Sequence, residues 1–222
     1  MDASTWELLL RSVGPLLLGA VGGTIPLTLF SFTFGLVIAL FVALARLSSM
    51  KVLAWIAGAY VSVIRGTPLL VQLYIIFYAL PSLGWVIDPF PSAVLAFSLN
   101  VGGYAAEVIR GSILAIPCGQ WEAASTIGLG YVVTLRRVIL PQALRVAVPS
   151  LSNTFISLVK DTSLASSIMV TELLRRAQEI AAPSYQFLAL YSLAAIIYWL
   201  ICSVLSFGQQ RLERRLSRYI TV

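Results

Sequence analysis

The sequence predicts an all-α integral membrane protein, a single domain over residues 1–222 with five membrane-crossing helices. Three observations predict it. Of 222 residues, 59% are hydrophobic and only 11% charged, where an ordinary soluble domain carries about 25% charged residues. The charges are bunched, so that residues 13–45, 66–87 and 181–210 contain none. A run of about 20 apolar residues lets a helix cross the ~30 Å hydrocarbon core. Finally, Lys and Arg gather at alternate ends of these runs, as loops on the cytoplasmic side do.

The first span covers residues 13–45. Asp2 and Glu7 precede it where a secretory leader would be basic, and it exceeds the about 7–15 apolar residues of such a leader. A retained helix is therefore expected. The second span is placed at 60–80. Arg65 interrupts it, so residues 52–64 could alternatively lie along the interface before the chain turns inward. The third is residues 91–110. The fourth, 142–160, has a short charge-free core at 146–159, with Arg145 at one mouth. The fifth is 184–207. The tail RLERRLSRYI, residues 211–220, has the pattern of a short amphipathic helix held by anionic lipid.

Orientation follows from the basic residues. Arg46 and Lys51 follow the first span, Arg110, Arg136, Arg137 and Arg145 lie between the third and fourth, and Arg211, Arg214, Arg215 and Arg218 mark the tail. An odd number of spans puts these groups together on the cytoplasmic side, with the amino terminus outside and the carboxyl terminus inside. The net charge of +6 is explained by topology, and no nucleic-acid partner is expected. The chain has no histidine, and its two cysteines, Cys118 and Cys202, lie far apart, so neither a metal site nor a disulfide is expected.

Between two very apolar stretches, residues 122–141 read EAASTIGLGYVVTLRRVILP. Glu122 places a negative charge at a helix start, where the dipole favours it. Ala123 and Ala124 permit close approach by a partner. Gly128 and Gly130 break the helix, and Pro141 suits the first turn of a new one. The order Glu122-Ala123-Ala124, three residues, Gly128, nine residues, Val138, one residue, Leu140-Pro141 resembles the cytoplasmic EAA loop of bacterial ABC-importer membrane subunits, with Val138 where that pattern has Ile. The likeness extends from about residue 19 to 210. Ile64-Arg65-Gly66-Thr67-Pro68-Leu69, Ser98-Leu99-Asn100 with Tyr104-Ala105-Ala106-Glu107, and the segment SLVKDTSL at 157–164 are similar to signatures of the polar amino-acid branch. PSAVLAFSLN at 91–100 and LSNTFISLVKDTSLA at 151–165 are nearest to cystine-type permeases.

The resemblance implies a type I ABC importer permease fold in the bacterial inner membrane. It implies that residues 117–141 form a cytoplasmic coupling loop gripped by a separate ABC ATPase dimer, which would hold ATP and Mg. The chain itself lacks the G-x-x-x-x-G-K-[ST] pattern that cradles nucleotide phosphates, and no cofactor or metal is expected on it. A periplasmic amino-acid-binding protein, a second permease copy or paralogue, and lipid are the other implied partners. The expected function is ATP-driven import of polar amino acids, with cystine as the narrower implication.

Polar residues within the spans supply candidate site positions. Asn100, Tyr104 and Glu107 fall on one helical face, as do Ser150, Asn153, Ser157 and Lys160. Such stripes also serve as glue between helices. Asp161 borders an uncharged stretch, 162–171, which suggests a broken helix continuing at membrane depth, with Thr162 and Ser163 satisfying freed backbone groups. A carboxylate beside two hydroxyls suits an amino acid's ammonium, and the resembled family uses this segment at its membrane substrate site. Leu69, Leu70 and Gln72, just after Pro68, form another expected wall. Glu107 with Arg110, three residues on, equally suits an interfacial ion pair. The rival is a secondary transporter that runs an ion gradient through Asp161 and Glu107. An intramembrane enzyme lacks a plausible nucleophile and base, so no catalytic residue is expected.

Overall fold

Prolines set where the long helices change register. The computed structural model describes residues 3–217. α1 (Ala3–Gly19) and α2 (Ile25–Arg46) run as one apolar helix through a π turn at Ala20–Thr24. The Ile25 amide bonds back to the Ala20 carbonyl, one residue further than in an α-helix, and Pro26 follows. The same sequence of events recurs twice. A π turn at Ile75–Ala79 ends with the Leu80 amide on the Ile75 carbonyl, before Pro81. Another at Leu135–Ile139 ends with the Leu140 amide on the Leu135 carbonyl, before Pro141. A proline has no amide hydrogen and its ring meets the carbonyl four residues back. One extra residue in the preceding turn moves that carbonyl aside and keeps the helix going.

A break replaces the straight second span expected at 60–80. α3 (Lys51–Gly66) ends where Thr67 and Pro68 become extended, and α4 (Leu69–Tyr74) sets off at a new angle. The arms Lys51–Gly66 and Leu69–Leu83 are bent by 106°. Pro68 is the cause, because its ring drives the residue before it out of the helical region. The alternative in which residues 52–64 form a separate arm describes α3 better.

α5 (Pro89–Leu114) is the central helix, and small residues make it so. Ala93, Ala96, Ala105 and Ala106 are fully buried. A Cβ on Gly102 would stand 2.6 Å from Ile38, and one on Gly103 would stand 2.6 Å from Ile64. Across the seam, a Cβ on Gly35 would meet Val101 at 2.6 Å. Missing side chains let α2 and α3 reach the α5 backbone, as packing in lipid requires. This core includes Leu27, Leu73 and Phe97 and reaches α8 at Leu158.

After α5 come α6 (Cys118–Thr126) and α7 (Tyr131–Thr134), then the π turn that leads into α8 (Leu140–Asp161). α8 starts at Leu140 with Pro141 in its first turn, as expected. The π turn joins it without a break to the short α7, so the helical path runs on through Pro141. α8 tightens into a 3₁₀ segment, Thr162–Ile168, which ends at Met169 in the left-handed region with φ 63°. Thr162 Oγ1 donates to the Val159 carbonyl (2.7 Å) and Ser163 Oγ to the Lys160 carbonyl (2.7 Å), so the break after Asp161 is satisfied by those two hydroxyls.

α9 (Leu173–Ser184) and α10 (Phe187–Ser217) complete the chain. The tail expected as a separate amphipathic helix continues α10 up to Ser217, and Arg218 lies outside the described residues, as does Asp2. α1, α9 and α10 share a second core around Leu16, Leu173, Ala177 and Ala194. Its joint is Glu172, fully buried. Glu172 caps α9 by accepting from the amides of Leu174 (2.9 Å) and Arg175 (2.7 Å), and it accepts from Tyr198 Oη of α10 (2.6 Å). Burial pushes its carboxyl above the usual range, against the pull of these donors. α1 joins through Thr24, whose Oγ1 accepts from the Leu173 amide (3.3 Å).

Three helices among the described residues are long and apolar enough to cross a membrane: Thr5–Arg46, Pro89–Leu114 and Phe187–Leu216. The bent pair Lys51–Gly66 and Leu69–Leu83 adds a fourth if it is one span. α8, diluted by Arg145, Ser150, Asn153 and Ser157, falls below that mark.

Candidate functional site

The bend at Pro68 opens a cavity of about 510 Å³ between α4, α5 and α8. Thr67 and Leu69 come from the bend, Asn100 and Tyr104 from α5, and Asn153, Ser157 and Asp161 from α8. A helix rises 1.5 Å per residue, so Asn153 and Asp161 stand about 12 Å apart along α8. The lining sets amides, hydroxyls, a phenol and one carboxylate, Asp161, among the apolar Pro68, Leu69, Val101 and Leu158. The chemistry offered is polar recognition.

The predicted substrate positions divide into two groups. Leu69, Asn100, Tyr104 and Asp161 line this cavity. Leu70 packs into the core beside it. Gln72 is buried behind the wall, where its Nε2 donates to the carbonyls of Ile64 (2.8 Å) and Thr67 (3.2 Å) and to Thr67 Oγ1 (2.9 Å). Its Oε1 accepts from Asn100 Nδ2 (3.0 Å). Gln72 thus ties the bend together and orients Asn100. Glu107 is held between Arg46 of α2 and Arg110 of its own helix, which is the ion-pair alternative. Thr162 is fully buried. Ser163 faces a separate groove between α8 and α10 that holds Lys160, Tyr198 and Cys202.

Of this lining, the sequence offered Asn153 and Ser157 as a polar stripe that equally suited helix packing, and it did not single out Thr67. The wall facing the stripe depends on how α8 meets α5. Thr67 was visible before a proline within the signature at 64–69, with no role attached to it.

The second site is the loop between α5 and α8. α6 ends in a Schellman turn: the Gly128 amide bonds to the Ser125 carbonyl (2.9 Å) and the Leu129 amide to the Ala124 carbonyl (3.0 Å). Gly128 has φ 77°, a conformation that costs a residue with a Cβ about 1–2 kcal/mol. This is the physical reason for a glycine there. Trp121 stacks on Tyr131 with ring centres 5.4 Å apart and holds the two sides of the loop together. Glu122 sits in the middle of α6 rather than at a helix start as expected, because the helix already begins at Cys118; it and Ala123 face outward, while Ala124 is buried against the loop. Leu140 packs on the cluster of Ile113, Ile116 and Ile139, and Pro141 is exposed one residue on. Ile127, Tyr131 and Val132 expose 74%, 64% and 72% of their surface, an apolar face beside Glu122.

Residues 35–218 match the family of binding-protein-dependent transport system inner membrane components. The chain is 59% identical over 219 residues to the L-cystine transport system permease protein of Bacillus subtilis (strain 168), spanning 98% of this chain and 94% of that one. It is 42% identical over 204 residues to the glutamine transport system permease protein of Escherichia coli (strain K12), spanning 91% and 93%. Among solved structures, that of an amino acid ABC transporter with histidines matches with a TM-score of 0.90 and 35% identity, over 97% of this chain and all of that one. An inward-facing methionine ABC transporter shares the fold, with a TM-score of 0.70 and 21% identity over 97% and 99%.

Proposed function

From the premise that this chain belongs to the family of binding-protein-dependent transport system inner membrane components, we propose that it is the permease subunit of an ATP-driven importer of L-cystine. The observation that carries the reading is the cavity in which Asp161, Asn100, Asn153 and Ser157 interrupt an apolar wall, built into a chain with 59% identity to an L-cystine permease. Asp161 would hold a substrate ammonium, while Asn100, Asn153 and Ser157 would hydrogen-bond the remainder. Leu69 and Tyr104 would supply apolar wall. Glu107 would act instead as the centre of the Arg46–Glu107–Arg110 cluster.

Two such permeases, identical or paralogous, pair across five spans each, with α8 as the fourth and the α3–α4 bend contributing the second. The amino terminus is periplasmic and the carboxyl terminus cytoplasmic. A periplasmic binding protein delivers the substrate. An ATPase dimer, carrying ATP and Mg, takes hold of the faces around Glu122, Ala123 and Ile127. Its closure draws the two loops together and opens the cavity outward, and hydrolysis reverses the motion. An ion-gradient transporter using Asp161 and Glu107 is less well supported. It would leave the exposed Glu122 face without a task, and it needs a mobile proton on a carboxylate fixed between two arginines.

The test is uptake of labelled amino acids by a strain deleted for its own cystine systems and supplied with this permease and its cognate ATPase and binding protein. Uptake of cystine that stops when the ATPase is inactivated is expected. ATPase-independent uptake, or transport of a different amino acid with no cystine uptake, sinks the reading.

A further inference from the structure

We propose that Arg65 receives the carboxylate of the carried amino acid and makes the permease demand one, a role that rests on the substrate cavity proposed above. Arg65 lies in the last turn of α3, two residues before Thr67 of the cavity wall. Its guanidinium carbon stands 5.5 Å from the centre of the Tyr104 ring, and Tyr104 lines the cavity. A cation within about 6 Å of a ring centre is held by the ring's electrostatics without using up its N–H donors. The N–H donors point out from its edge in a planar fork that matches a carboxylate.

Charge around Arg65 favours an anion. The nearby carboxylate, Glu107, is shared by Arg46 and Arg110. Among the described residues Arg65 makes no salt bridge within 4 Å. The cavity's own carboxylate is Asp161, on the far side of Asn153 and Ser157 along α8. Arg65 is exposed and stands outside the lining, behind Tyr104, so the cavity has a negative group in its own wall and a cation within side-chain reach of its Tyr104 edge. A molecule with an ammonium group and a carboxylate group satisfies both. A diamine satisfies only the first.

The experiment measures equilibrium binding of labelled cystine and labelled cystamine, the disulfide diamine without carboxylates, to the permease–ATPase complex in lipid nanodiscs without binding protein. The intact complex is expected to prefer cystine. Arg65→Gln should weaken cystine binding by about tenfold or more, the scale of a lost charge-assisted hydrogen bond, and leave cystamine binding unchanged. Equal loss of both compounds, or no loss of either, overturns the proposal. If Arg65→Gln does not assemble, Arg65→Lys carries the test, since it keeps the charge and loses the fork. A several-fold fall in the preference for cystine then supports the role, and an unchanged preference overturns it. Asp161→Asn separates the two readings. If it loses cystine while Arg65→Gln does not, the cavity stands and Arg65 falls. An intact complex that binds neither compound overturns the cavity and Arg65 with it.

Discussion

At Asp161, replacing one carboxylate oxygen with an amide nitrogen removes the charge and keeps the shape. A charge-assisted hydrogen bond contributes about 1.5–3 kcal/mol and a neutral one about 0.5–1.5 kcal/mol. Asp161→Asn is therefore expected to lower cystine uptake by roughly tenfold, with assembly and basal ATPase activity intact. Unchanged uptake would move the ammonium site elsewhere, and dissociation of the complex would make the residue structural. Gly128 sets a different kind of test, because its φ of 77° is a backbone requirement. Gly128→Val should weaken ATPase pull-down and transport while the protein still inserts. Gly128→Asn should do so less, since asparagine tolerates the left-handed region. Glu122→Lys reverses an exposed charge and should uncouple without unfolding. Normal pull-down and transport by Gly128→Val and Glu122→Lys would show that the loop is not where the ATPase docks. Both residues were legible in the sequence by spacing. The Glu107–Arg110 pair was legible as an alternative, whereas Gln72's tie to Asn100 and Glu107's second partner Arg46 were not, because they lie 28 and 61 residues away in the chain.

Among the elements, the contact of α1 with the start of α9 is the tightest place to probe. A Cβ on Gly23 would stand 2.2 Å from the Thr171 carbonyl oxygen and 2.7 Å from the Glu172 Cα. Both are backbone atoms with little room to move. Gly23→Ala is expected to destabilise by roughly 1–3 kcal/mol, as overpacking does, read as a lower midpoint of thermal aggregation in detergent. Gly22→Ala, next to it, meets nothing within 4 Å and should be neutral or slightly stabilising. Equal midpoints for the two variants would refute the close contact. Hydropathy located the material of these helices well, and it placed α5 nearly to its ends. It failed at the turns. Pro26, Pro81 and Pro141 are visible in the sequence, but whether a proline stops a helix or is absorbed by a π turn depends on what packs outside it. Thr67-Pro68 carried the signal for the 106° bend, yet the uncharged run through it read as one continuous span. The cavity lies in the angle of that bend, so its full lining could not be read before the bend was known.

For the whole molecule, the sidedness of the chain is the claim to test. Cys118 is exposed at the start of α6, and Ser82 lies before α5 at its other end. In the protein with Cys202→Ser, an impermeant thiol reagent should reach Cys118 only from the cytoplasm. With Cys118→Ser, Cys202→Ser and Ser82→Cys, labelling should come only from the periplasm. Labelling of both positions from one side would mean that Pro89–Leu114 does not cross. The joint at Glu172 also has a consequence for how the chain is made. The Leu173 amide and Thr24 Oγ1 that meet there are 149 residues apart. At about 5–20 residues per second of synthesis, the first helix waits on the order of 10 s in lipid before its partner exists. During that wait the notch formed by Gly19 and Gly23 is empty and the Thr24 hydroxyl lacks the Leu173 amide it later accepts from. A ribosome stalled before residue 172 would leave the first helix inserted with this notch unfilled.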